Sequence, residues 1–70
     1  MAVNYSAVIQ QAGDWWIGWV EEVPGVNSQG RTRAELLDNL RDALEEALDM
    51  NRAEAKAAAS GSYEEVSLSA

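Results

Sequence analysis

The sequence predicts an α+β domain in the order β-β-β-α-β, a small antiparallel sheet with one amphipathic helix packed on it. Two runs of strand length, Val3–Gln11 and Trp15–Val20, flank a short turn segment. From Arg33 onward apolar residues recur at helical spacing, and a weaker alternation starts at Tyr63 after Ser60-Gly61-Ser62. Strands grouped ahead of a helix, rather than alternating with helices, place the chain in this class.

In Val3–Gln11, Tyr5, Ala7 and Ile9 share one face while Asn4, Ser6, Val8 and Gln10 share the other. Gln11-Ala12-Gly13-Asp14 carries the turn chemistry, with Gly13 free to take a positive φ. Trp15–Val20 then completes a hairpin. Its odd positions are Trp15, Ile17 and Trp19, and its even positions are Trp16, Gly18 and Val20. A strand apolar on both sides needs two covers. One helix supplies one of them, and a subunit or partner is expected to supply the other. The alternative is that some tryptophan bulk belongs to the core.

Val23-Pro24-Gly25 ends the second strand's excursion, because Pro24 cannot donate to a ladder and Gly25 suits the next turn position. Val26–Gln29 is expected as a short third strand, and Gly30 releases the chain into the helix, where a valine would destabilise the fold if the position needs a positive φ. Thr32 with Glu35 three residues on has the pattern of a capping box. Leu36, Leu37, Leu40, Ala43, Leu44, Ala47 and Leu48 form one stripe. Asp38, Asp42, Glu45, Glu46 and Asp49 lie opposite, with Arg41 four residues before Glu45. The alanine-rich Arg52–Ala59 either extends that helix or forms separate turns. Tyr63–Ala70 is expected as a fourth, edge strand that closes the sheet or pairs between chains.

With 70 residues, the chain is read as a single domain spanning 1–70. A core of this size supplies roughly 3–5 kcal/mol, so such domains lean on disulfides, metals or self-association. There is no cysteine and no histidine, which removes disulfides, thiolate metal sites and the usual general base. A homo-oligomer, dimer or tetramer, is the support that remains. The formal net charge of -7 disfavours direct binding to nucleic acid. It suits a basic protein partner, or simply keeps a small chain dispersed. No secretory leader and no apolar run of membrane-spanning length are visible, so a cytoplasmic location away from membranes is expected.

No catalytic constellation is evident. The serines and Thr32 have no histidine to activate them, and Lys56 lies in a weakly anchored tract. Glu21-Glu22 and Asp38/Asp42 are carboxylate pairs without a supporting metal pattern. Gly25 and Gly30 fit neither GxxxxGK[ST] nor GxGxxG, so turn roles are favoured over a phosphate loop. In "QGRTR", Arg31 and Arg33 are expected to pair with Glu35 or Glu22. The chain is therefore read as a non-enzyme needing no cofactor. The partner-contact candidates are Trp15, Trp16, Trp19, Glu21 and Glu22. Pro24, Gly25, Gly30, Thr32 and Glu35 are read as structural.

The stretch "YSAVIQQAGDWWIGWVEEVPGVNSQGRTRAELLDNLRDALEEAL", Tyr5 to Leu48, resembles the N-terminal domain of HicB-like antitoxins from bacterial toxin–antitoxin systems. The likeness lies in Tyr5-Ser6-Ala7-Val8-Ile9, in the aromatic strand with its small Gly18, and in the ordered set "PGxxxxGxT" from Pro24 to Thr32. The resemblance implies a partial ribonuclease H-like fold without nuclease activity. It also implies a small basic partner, the mRNA-cleaving toxin HicA, inhibited by occlusion of its active site. Many such antitoxins add a C-terminal DNA-binding domain. None is visible up to Ala70, so autorepression by this chain is not expected. Glu21 stands where the family often has proline, and Arg31 where an acidic residue is common. An orphan, self-associating domain without a toxin is the other reading. A degenerate ribonuclease H relative using carboxylates and magnesium is the least favoured.

Overall fold

The computed structural model describes residues 4–68. It contains β1 (Ala7–Ala12), β2 (Trp15–Val20), β3 (Asn27–Gly30) and α1 (Arg33–Ala58), with the sheet ordered β1-β2-β3 and both pairings antiparallel. This is the α+β architecture expected, as β-β-β-α.

The hairpin joining β1 to β2 closes on Ala12 opposite Trp15, so Gly13-Asp14 is a two-residue turn. Gly13 has φ 62°, the positive value that a type II′ turn demands at its first central position. After β2 the chain makes a type II turn at Val23-Pro24-Gly25-Val26. Pro24 presets the first central φ, Gly25 takes φ 89° at the second, and Val26 N–H donates to Val23 O at 3.3 Å. The turn returns Val26 beside Val20, whose N–H donates to Val26 O at 3.0 Å. The third strand therefore starts one residue later than its apolar content suggests, and Val26 is buried where the strand begins.

Gly30 is needed for a different reason than expected. Its φ is not positive; a Cβ there would lie 2.6 Å from the Leu36 backbone nitrogen. The first turn of α1 folds directly over it. Thr32 caps that turn, its Oγ1 accepting from Glu35 N–H at 3.1 Å, which is one half of a capping box. Asn39 Nδ2 donates to Gln29 O at 2.9 Å and ties the helix to the outer edge of β3.

The core is small. Val20, Val26, Leu36 and Leu40 are buried, with Ile9, Trp16, Val23, Ala43, Leu44 and Ala47 packed around them. Leu36 is 0% exposed. The stripe read from the sequence is thus the packed face of α1, but only its first half meets the sheet. Arg52–Ala58 continues the helix, and every residue of that segment is exposed. At 1.5 Å per residue α1 is about 39 Å long, longer than the sheet it crosses. The radius of gyration is accordingly 15.2 Å, against roughly 11 Å for a compact chain of this length. The acidic side of α1 pairs locally: Arg41 with Asp38 at 3.0 Å, rather than with Glu45, and Arg52 with Asp49 at 3.4 Å.

Among the described residues, the expected fourth strand is not formed. Tyr63–Leu68 has no regular secondary structure and joins no ladder among these residues, and Ser69 and Ala70 lie outside the described range. Its alternation offers only Val66 and Leu68 as apolar anchors. Gly61, at φ 79°, turns the segment just past the end of the helix, and Glu65 comes back to Lys56 at 3.6 Å.

Candidate partner-binding face

Cross-strand register decides which β2 residues go under the helix. Ile9 opposes Gly18 and Ala7 opposes Val20 on the helix side, while Val8 opposes Trp19, Gln10 opposes Ile17 and Ala12 opposes Trp15 on the other. Asn27 and Gln29 of β3 complete that second face opposite Trp19 and Ile17. The helix side needs a small residue at its centre. A Cβ on Gly18 would come within 2.8 Å of Ile9 Cγ2 and 3.2 Å of Leu40 Cδ1. Gly18 lets Leu40 sit on the sheet, and Trp16 and Val20 flank it.

Among the described residues, nothing covers the opposite face. Trp15 and Trp19 are 38% and 41% exposed, Val8 is also exposed, and Ile17 between them is half-buried. Together they form a continuous apolar strip across β1 and β2. Arg31 lies at its end with the guanidinium carbon 4.6 Å from the centre of the Trp15 ring, a cation–π contact. Arg31 thus stacks on the tryptophan instead of pairing with Glu35 or Glu22. Its stem and planar head extend the strip while keeping one positive charge at the rim.

The candidates fall into separate places. Trp15 and Trp19 share the open face, whereas Trp16 packs on the helix side against the core. Glu21 follows Trp19 at the end of the odd-numbered series and is exposed. Glu22 turns back: its Oε1 accepts from Ser6 N–H at 2.8 Å, and Glu21 N–H donates to Ser6 O at 2.9 Å. The Ser6 N–H bond holds the Glu22 carboxyl below its ordinary value of 4.5. Glu22 therefore serves the fold by extending the β1–β2 ladder. Pro24, Gly25, Gly30 and Thr32 all act in turns, close approach or capping. Val8, Ile17 and Arg31 are the face residues that sequence reasoning did not select as contacts. The alternation of β1 held the information for Val8, while the Arg31 stack depends on β3 bringing it beside Trp15.

Among the described residues no three acidic side chains gather where they could hold a metal ion, and no helix is long and apolar enough to cross a membrane. Compared with protein-family models, with curated proteins and with solved structures, the chain matches none.

Proposed function

We propose that this chain is a HicB-like antitoxin module that binds and occludes a small basic HicA-like toxin. The observation that carries the reading is the open strip of Trp15, Ile17, Trp19 and Val8 on a chain of net charge -7. Exposed tryptophans on a rigid strand supply large contact area with little entropy to lose, the profile of an interface centre. The surrounding negative field favours encounter with a cationic partner. Catalysis has no part in this reading. The β-β-β-α arrangement and the Pro24–Thr32 segment fit the resemblance that motivates the toxin as partner.

Co-purification of the tagged chain with the product of the neighbouring gene, followed by size-exclusion chromatography, tests the proposal. A stoichiometric complex with a small basic protein is expected. Trp19→Ser should abolish it while leaving the circular dichroism spectrum unchanged. Failure to bind any such protein would remove the toxin reading and leave the self-associating orphan domain. The extended helix and exposed tail favour that second reading independently of the tryptophans.

A further inference from the structure

We propose that Tyr63–Leu68 of one copy adds as a fourth strand to the free edge of β1 in a second copy, giving a reciprocal strand-exchanged dimer. This does not rest on the toxin reading, because it uses the β1 edge and the helix-side groove rather than the tryptophan face.

The first observation is the edge. Val20 N–H bonds to Val26 O, and Glu21 N–H bonds to Ser6 O, so successive residues at the end of β2 serve opposite neighbours. Antiparallel alternation then directs the backbone groups of Ala7, Ile9 and Gln11 outward, away from β2. The two edges differ. Asn39 covers Gln29 O on β3, whereas α1 packs over β2 and β3 and leaves β1 uncovered.

The second observation is the groove beside that edge. A cleft of about 360 Å³ runs between β1 and α1, with Ile9, Leu37, Leu40 and Leu44 as its apolar wall and Arg33 and Arg41 at its polar side. A strand added to β1 would direct alternate side chains into it.

The third is a segment of matching pattern with nowhere to go in its own chain. In a strand, Glu64, Val66 and Leu68 would share one face. The two apolar members suit the leucines, and Glu64 suits the arginines. In its own chain, Gly61 turns the tail and Glu65 Oε1 lies 3.6 Å from Lys56 Nζ, while Val66 and Leu68 stay 67% and 89% exposed. Leu44 is about 18 Å back along the helix from Lys56 at 1.5 Å per residue. With Glu65 at Lys56, the three residues to Leu68 span about 10 Å at most, so filling the groove in cis would mean pulling Glu65 from Lys56. Docking on a second copy leaves that contact in place.

The surface area agrees. The chain exposes 5683 Å², against roughly 4,300 Å² for a compact monomer of its mass. The excess is larger than the roughly 800 Å² per partner that a standard interface buries. Addition of an extended segment to a free sheet edge is an established recognition mode, and its two-fold repetition closes the assembly.

Light scattering behind size-exclusion chromatography tests this on the full chain at micromolar concentration. The unaltered chain should give twice its 7.6 kDa mass. The double variant V66D/L68D should run as a monomer with an unchanged far-ultraviolet dichroism spectrum, since both side chains are exposed within one copy. Gln11→Pro, which removes one outward N–H from β1, should also give the monomer. A monomeric unaltered chain would overturn the proposal. So would a dimer that survives V66D/L68D, or one lost only with Trp19→Ser, which would move the interface to the tryptophan face.

Discussion

On one face of β2, Trp16, Gly18 and Val20 lie under the helix; on the other, Trp15, Ile17 and Trp19 face outward with Val8. Both faces carry tryptophan and a branched aliphatic residue, so hydrophobicity does not separate them. A small residue does. Gly18 removes the Cβ that would meet Ile9 and Leu40, which lets α1 settle close to the sheet. On the odd-numbered side β2 itself offers no residue smaller than isoleucine, and the helix already packs on the other side. Apolar content marks where burial is possible, and local shape decides where one helix provides it.

The comparison is broken most severely from the helix side. Leu36→Ala empties the fully buried centre and should cost about 2–5 kcal/mol, comparable with the whole roughly 3–5 kcal/mol available to a domain this small. The expected result is loss of a cooperative thermal transition followed by circular dichroism. Gly30→Val should come next. Its new Cβ would meet backbone rather than a yielding side chain, at 2.6 Å from Leu36 N, for a cost of about 1–3 kcal/mol. A urea midpoint unchanged from the parent would show that the first turn of α1 can lift away. Thr32→Ala removes the cap on Glu35 N–H and should cost about 1 kcal/mol by the same urea titration.

The open face should answer in the opposite way. Trp19→Ser is expected to leave stability within about 0.5 kcal/mol of the parent, while abolishing capture of the basic partner. A large loss of stability would mean that Trp19 belongs to the core of the single chain.

The smallest effect should come from Glu22. Its folded-state pKa is lowered by the Ser6 N–H bond, so its contribution is present above the ordinary 4.5 and lost as pH falls through the lowered folded value. Urea midpoints for the parent and Glu22→Gln should therefore differ near neutrality and converge on acidification. A difference that persists at low pH would separate the effect from the carboxylate's charge.

Much of this architecture was legible in the residues. The alternation of Trp15–Val20 and the three-and-four spacing from Leu36 to Leu48 are periodic, and periodicity survives without tertiary context. Pro24-Gly25 and Gly13 are legible because few residues accept their backbone geometry. Gly30 is legible as structural, but not the reason for it, because a crowding requirement leaves no local mark: both kinds of position simply show glycine. Trp16 was grouped with Trp15 and Trp19 as a contact residue, although strand alternation already sets it on the other side. The fourth strand was read from alternation alone, and a ladder needs a neighbour that no single segment encodes.

By itself the sequence determined the three strands, the helix with its cap and stripe, and the two apolar faces of β2, because these follow from backbone preference and side-chain period. The tertiary structure alone decided which face α1 covers, that Arg31 stacks on Trp15 and that Glu22 reaches Ser6. It also decided that, among the described residues, no strand pairs with the β1 edge while Asn39 covers β3. Each of these depends on where two distant segments meet, and that is set by the close approach at Gly18 and Gly30 rather than by any local pattern.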